Sequence, residues 1–269
     1  IPSVIEMFDE PFGDSSSIPT YLVSKLAKKD VKVVLSGDGG DELFGGYSRY
    51  HNYKIQRTTN LLKILPAPIL KKTIRILSNI KNYNFNSVNT MKLIDKLSYA
   101  LELTNCNDFK SYYELMNTHW RSSPLMFLKS DNKKYGISNS ILENISDSMH
   151  KMMAIDFKSY LVDDILTKVD RTSMSNGLET RVPLLDHKLI EFIWSLPRSM
   201  KYRNHESKWI LKKVLYKYVP ESLFKRPKKG FSIPVYDWLR GPLRDWSEDL
   251  LDEKRIKEDG IFDEKIIKE

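Results

Sequence analysis

The residues with chemical capability are concentrated in Ser36-Gly37-Asp38-Gly39-Gly40-Asp41-Glu42-Leu43-Phe44-Gly45-Gly46-Tyr47. The segment directly follows Val31-Lys32-Val33-Val34-Leu35, a branched apolar run that predicts a short buried strand. A strand ending in Ser-Gly at the carboxyl edge of a sheet stops where α/β folds bind ligands. Glycines there let the backbone approach a ligand and turn its amides toward phosphate. Asp38, Asp41 and Glu42 place three carboxylates within one turn, a hard-oxygen set suited to Mg²⁺. A plain glycine-rich turn, with acids favouring the following helix N-terminus, has similar ingredients. The density of glycines and acids just past a buried strand favours a ligand site.

Other elements must position that loop. Asp9 to Ser17 is rich in turn residues; Ser17 is expected to cap a helix with Pro19 in its first turn. Ile18, Tyr21, Leu22 and Leu26 predict its buried face, and Asp30 ends it. Helix followed by strand is the unit from which parallel sheets are built, although no partner strand is evident. Phe157, Tyr160, Leu161, Ile165 and Val169 predict a helix with Asp164 and Lys168 paired four apart on its outer face. Asp186 is expected to cap a helix through Leu189, Ile190 and Ile193 that stops at Pro197. A further helix, starting near Ser207, presents Leu211, Val214, Leu215 and Tyr218 and stops at Pro220. Between about residues 50 and 155 the pattern is mixed, with short helices broken at Pro66 and Pro68 and loops around 81–90 and 131–140.

Several of these segments, in order, resemble the glutamine-dependent asparagine synthetases. Ser36–Tyr47 is similar to a nucleotide-site motif of that family, and Asp9–Leu26 to the segment leading into it. The run from Asp163 to Arg171 resembles the family's central helix. Gly177-Leu178-Glu179-Thr180-Arg181-Val182-Pro183-Leu184-Leu185-Asp186, Glu206–Leu211 and Arg226–Phe231 match further signatures. The resemblance implies an α/β, predominantly helical fold: a partial adenine-nucleotide-binding parallel sheet of the ATP-pyrophosphatase type over residues 1–50, and a helical remainder over 51–269.

It also implies a reaction. ATP activates the aspartate side-chain carboxylate as an acyl-adenylate, releasing pyrophosphate, and ammonia from a glutaminase domain displaces AMP. By the resemblance, Ser36 and Gly37 contact ATP, Asp38 falls at a position tied to formation of the intermediate, Asp41 serves Mg²⁺–pyrophosphate, and Lys208 is catalytic. Arg171 and Glu179 match active-site positions. A lysine at the start of a helix suits charge developing on a phosphate. On the residues alone, spacing favours a surface lysine at Lys208, while Arg171 and Arg181 are equally partners of Asp170 and Glu179, and Lys228 and Lys229 are equally a solvated loop. The chain has no amino-terminal cysteine and no Ser-Gly-Gly-x-Asp-Ser loop. It is therefore expected to be the carboxyl part of a longer enzyme and inactive alone.

Composition bounds the rivals. With 269 residues, a net charge of +8 and 41% hydrophobic residues, the chain reads as a globular protein. No apolar run nears the roughly 20 residues of a membrane helix, so no membrane role is expected. Cys106 is the single cysteine, which excludes an internal disulfide and points to a reducing, cytoplasmic setting. It is expected to be a small buried residue. The five histidines show no metal spacing. The basic residues are dispersed, and Asp38 and Asp41 would repel a phosphate backbone, so no nucleic-acid partner is expected. Amidation of another carboxylate and a non-catalytic interaction module remain as alternatives, and homo-oligomerisation is compatible with either.

Overall fold

The computed structural model describes residues 2–51, 72, 102, 106, 108–117, 143–224, 231 and 233–268. The short helices expected near Pro66 and Pro68, the loops at 81–90 and 131–140, and Arg226–Gly230 with Lys228 and Lys229 lie outside the described residues. The chain divides into two compact units, Ile1–Gly46 with Ser122–Gly136 and Met153–Glu269, and Tyr47–Arg121 with Ile137–Met152.

The described elements are mostly helical. In chain order they are α1 (Pro2–Ile5), α2 (Ser17–Ala27), β1 (Val33–Leu35), α3 (Gly40–Phe44), α4 (Phe109–Asn117) and α5 (Ser148–Lys158). A π-helical turn, Leu161–Leu166, leads into α6 (Thr167–Met174), followed by β2 (Glu179–Arg181), α7 (His187–Ser195) and α8 (Arg198–Lys201). The strands β3 (Tyr202–Arg203) and β4 (Glu206–Ser207) precede α9 (Trp209–Leu215). Then come α10 (Val235–Arg240), α11 (Arg244–Leu250), α12 (Glu253–Asp259) and α13 (Glu264–Lys268).

The partner strand is β2, drawn from the Gly177–Asp186 signature. It pairs parallel to β1 in the register Val33–Glu179, Val34–Thr180 and Leu35–Arg181. The Glu179 amide donates to the Lys32 carbonyl at 3.0 Å and the Ser36 amide to the Arg181 carbonyl at 2.9 Å, extending the ladder at both ends. A Glu-Thr-Arg strand carries no apolar alternation, which is why the sequence pattern concealed it. The expected burial of β1 is corrected: Leu35 is 72% exposed and only Val34 is partly buried.

Helix α2 also departs from expectation. Its apolar stripe faces outward, with Leu22 57% and Leu26 63% exposed, while Ser17 and Ser24 are the buried positions. The reason is its neighbour. The packing of α2 on α6 is the most extensive between helices among the described residues, and α6 contributes buried Lys168, Thr172 and Ser173. Apart from Lys168, the buried positions of both helices are small: Ser17, Ser24, Thr172 and Ser173. Nor does Ser17 cap α2; the N-cap is Ser16, and its side chain caps no helix amide.

The core of the first unit gathers Leu43 and Phe44 of α3 with Ile193 of α7, surrounded by Phe157, Leu184, Leu185, Trp194, Ile210 and Leu211. Asp186 caps α7 as expected, accepting from the amides of Lys188 at 3.0 Å and Leu189 at 3.2 Å. Helix α9 is shorter and buries less than its sequence promises: it ends at Leu215, Val214 on it is exposed, and Tyr218 beyond it is exposed too. In the second unit, Arg49 lies over the Tyr47 ring at 4.2 Å and Lys151 over Phe109 at 5.7 Å. Cys106 is buried, as expected.

Two substitutions test this core. Leu43→Ala, at a side chain with no exposed surface, should cost about 2–5 kcal/mol in urea denaturation. Asp186→Ala should cost about 1 kcal/mol through the lost cap.

Candidate functional site

The loop after β1 folds as its composition directs. Gly39, with φ +78°, opens α3, and Gly45, with φ +67°, closes it; both values favour glycine. The five-residue turn between them buries Glu42, Leu43 and Phe44 and leaves Asp41 on the open side. The three carboxylates do not form one metal cage. Glu42 is buried, Asp38 accepts a hydrogen bond from the Ser36 hydroxyl at 2.7 Å, and Asp41 meets Lys208. Among the described residues, no group of three or more His, Cys, Asp or Glu converges as a metal site.

Lys208 reaches the loop from far along the chain. Strands β3 and β4 pair antiparallel, Tyr202 opposite Ser207 and Arg203 opposite Glu206. Their two-residue turn, Asn204-His205, has φ of 51° and 62°, the positive pair that hairpin turns of this length require. Lys208 follows β4 at φ 55° as the N-cap of α9, not in the helix's first turn as the sequence implied. Its amide donates to the Phe44 carbonyl at 3.2 Å, and its ammonium lies 3.0 Å from Asp41 Oδ1. A left-handed lysine is unfavourable by about 1–2 kcal/mol, so these loop contacts must hold it. Gly46 completes the joint: a Cβ there would overlap Asp41 Oδ1 and Lys208 Cε.

The start of the same loop borders a cavity of about 480 Å³, within the usual range of small-molecule sites. Val34, Leu35, Ser36 and Asp38 line it from the β1 side, Leu178 and Thr180 from the β2 side, and Ser16, Thr20, Val23, Ser24 and Ala27 from α2 and its N-cap. Lys168, Val169 and Phe231 complete it. Ser36 and Asp38 are thus brought together at one cavity, with Gly37 between them. Glu179 does not line it. It pairs with Arg181 at 2.7 Å, as the second reading of that pair anticipated, and strand alternation turns both away from Thr180. Arg171 lines a different cavity with Phe8, Asp9, Glu10, Phe12, Asp163 and Thr167, and its ion-pair partner is Asp9, not Asp170.

Sequence reasoning missed the charged cluster behind the cavity. Asp164 and Lys168 are not an exterior helix pair. The π-helical turn breaks the regular spacing, and Lys168 is 7% exposed with its ammonium 2.6 Å from Asp14 Oδ2. Burial works against the Asp14 carboxylate, yet hydrogen bonds from Lys168 and Ser16 outweigh it and hold its pKa below the ordinary value. Asp164 is pushed the other way, up to about 6, by burial first and then by the negative charge of Asp14, against the opposing pull of Lys168. The signal available in the sequence was Asp14 two residues before a serine at a helix start, an Asx-turn spacing.

Two predictions follow from this geometry. Gly46→Ala should destabilise the chain by about 1–3 kcal/mol, whereas Gly13→Ala, where an added Cβ meets nothing within 4 Å, should stay within about 0.5 kcal/mol. Because the folded pKa of Asp164 is raised, its stabilising contribution is full below pH 4 and is lost as pH rises through about 6. Denaturation at pH 4.5 and 7.5 should show that fall, and Asp164→Asn should remove it. The lowered pKa of Asp14 acts in a separate window, losing stability only as pH falls below its ordinary value of 3.8.

Residues 1–269 match the protein family described as asparagine synthase. Asparagine synthetase (glutamine-hydrolyzing) 1 of Bacillus subtilis (strain 168) is 28% identical over 257 residues, covering 95% of this chain and 39% of that protein. The putative asparagine synthetase (glutamine-hydrolyzing) of Mycobacterium bovis is 30% identical over 250 residues, covering 92% and 37%. A protein of Penicillium rubens named Amidase chyE is 23% identical over 255 residues, covering 90% and 38%. The chain therefore spans between 37% and 39% of the length of these relatives. No solved structure matches it. With the family match running the whole length of the sequence, the chain belongs to the asparagine synthase family.

Proposed function

We propose that the chain is the synthetase portion of an ATP-dependent, glutamine-hydrolysing asparagine synthase that works through an acyl-adenylate. The observation that carries this reading is the meeting of Lys208 with Asp41, 3.0 Å apart, on the glycine-rich loop whose Ser36 and Asp38 line the cavity. A cation and an acid paired on the loop that borders a nucleotide-sized cavity, and a hydroxyl–carboxylate pair lining it, suit a substrate with a polyphosphate tail and a reacting carboxylate.

In this reading ATP lies in the cavity, with Ser36 and Gly37 against it. A carboxylate oxygen of aspartate attacks the α-phosphorus, the bond to the β-phosphate oxygen breaks, and pyrophosphate leaves. Ammonia released from glutamine by a glutaminase domain then attacks the acyl carbon; the carbon–oxygen bond to AMP breaks and the nitrogen gives up a proton. Asp38 belongs to this reacting centre. Lys208 supplies positive charge where the phosphate charge develops, and such donors are worth most when held in place beforehand. Mg²⁺ fits as an ion carried by the substrate, because Asp41 is one carboxylate and Mg²⁺ binds through one or two carboxylates plus phosphates and water. Bound there, it would neutralise the departing pyrophosphate. Arg171 and Glu179 do not line this cavity and are ion-paired with Asp9 and Arg181.

A second reading keeps the adenylation chemistry and changes the carboxylate that is activated. The match to the Penicillium rubens protein named as an amidase favours it.

Carboxylate-dependent pyrophosphate release by the intact protein separates the readings. Aspartate should support release that requires Mg²⁺ and ATP; release only with another carboxylate would establish the second reading, and none with any would overturn both. Lys208→Ala should slow release on the order of 100- to 1000-fold, with Lys208→Arg rescuing poorly because a planar fork does not replace a compact ammonium. Asp41→Asn should impair use of Mg²⁺–ATP while folding changes little. Since the two side chains touch, their effects should be non-additive in a double-mutant cycle.

A further inference from the structure

Behind the cavity stands Asp14, whose two oxygens hold groups from two separate parts of the fold. Oδ1 accepts the Ser16 amide at 2.8 Å; Oδ2 accepts the Ser16 hydroxyl at 2.7 Å and the Lys168 ammonium at 2.6 Å. Ser16 and Lys168 both line the cavity and Asp14 does not. Ser16 is the N-cap of α2 and Lys168 lies in the first turn of α6, the two helices that pack most extensively. We propose that Asp14 is a positioning residue of this cavity, orienting Ser16 and Lys168 so that the walls given by α2 and α6 keep the shape that accepts the nucleotide. The inference rests on the nucleotide reading above.

The physical argument concerns where Lys168 goes without Asp14. An ammonium that is almost fully buried needs its counter-charge, and removal of one partner of a buried pair leaves the other uncompensated. The cavity is a space its side chain already borders, and Asp38 is a carboxylate among the residues that line it. Released from Asp14, the ammonium swings into the cavity toward Asp38 and takes up room and charge that the substrate needs. Ser16 loosens at the same time, because its amide and hydroxyl share the same acceptor.

The test is Mg²⁺–ATP affinity by titration calorimetry on the intact protein, with thermal unfolding followed in parallel. Asp14→Asn keeps the shape and one acceptor oxygen for Ser16 but lacks the charge and the second oxygen, and should weaken Mg²⁺–ATP binding on the order of tenfold. Lys168→Met removes the ammonium that Asp14 positions; on its own it should also weaken binding, but added to Asp14→Asn it should relieve part of the loss, because no ammonium is left to enter the cavity. Full additivity of the two, or an Asp14→Asn protein that binds normally, would overturn the inference. A loss of melting temperature with affinity unchanged would assign Asp14 to folding alone and overturn it equally. If Asp14→Asn fails to fold, Lys168→Arg against Lys168→Met decides: arginine should retain most of the affinity, and equal loss in both is the overturning result. A wild-type protein that binds no adenine nucleotide overturns the nucleotide reading, and this inference with it; wild-type binding with unaffected variants overturns this inference alone.

Discussion

The pairing of Val33–Leu35 with Glu179–Arg181 is the constraint on which the site depends. Parallel strands leave a sheet in the same direction, so both chain exits lie at one edge. The glycine-rich loop leaves β1 there, and the segment Val182–Asp186, which carries Leu184 and Leu185 into the core, leaves β2 beside it. The ladder is extended by the Ser36 amide itself, so the first residue of the candidate site is part of the sheet's hydrogen bonding. A one-residue slip in this register would exchange Thr180, which lines the cavity, for Glu179 or Arg181, which do not.

On this frame the charged groups serve geometry more than stability. The Asp41–Lys208 pair is partly exposed, and such pairs contribute about 0–1 kcal/mol. Its effect is to join a loop from the start of the chain to a hairpin near residue 205, helped by the backbone bond from Lys208 to Phe44 and by the missing side chain at Gly46. The left-handed backbone of Lys208 fits this account: an unfavourable conformation persists where surrounding contacts over-determine it. Asp14, Lys168 and Asp164 form a second such joint, where two acids compete for one ammonium and their pKa values separate, one lowered and one raised. The π-helical turn containing Asp164 changes the spacing between that acid and Lys168 from the one a regular helix would give.

The helix that carries the cavity's longest wall shows how packing overrides pattern. By periodicity α2 should bury Leu22 and Leu26, and it buries Ser17 and Ser24 instead. Packing on α6 places Ser17 and Ser24 inside, and a moment drawn from hydrophobicity alone cannot register that choice. Ser16 and Thr20 line the cavity together with Lys168 of α6.

What the sequence by itself determined was local: the branched run of β1, the glycine positions that open and close α3, the Asp186 cap of α7, and the identity of the loop that carries Ser36, Asp38 and Asp41. Each follows from backbone sterics or a contact within a few residues, which is information that neighbouring letters contain. The family resemblance reached further, to Lys208, because ordered motifs record proximity that no propensity encodes. Only the tertiary structure decided that a polar Glu-Thr-Arg segment is the partner strand, that Lys208 is a left-handed cap resting on Asp41, and that Arg171 and Glu179 stand apart from the cavity. It also decided that Lys168, taken from its spacing as a surface charge, is buried against Asp14. Those outcomes depend on which surfaces meet across long stretches of chain, where burial, close packing and desolvated charge outweigh local preference.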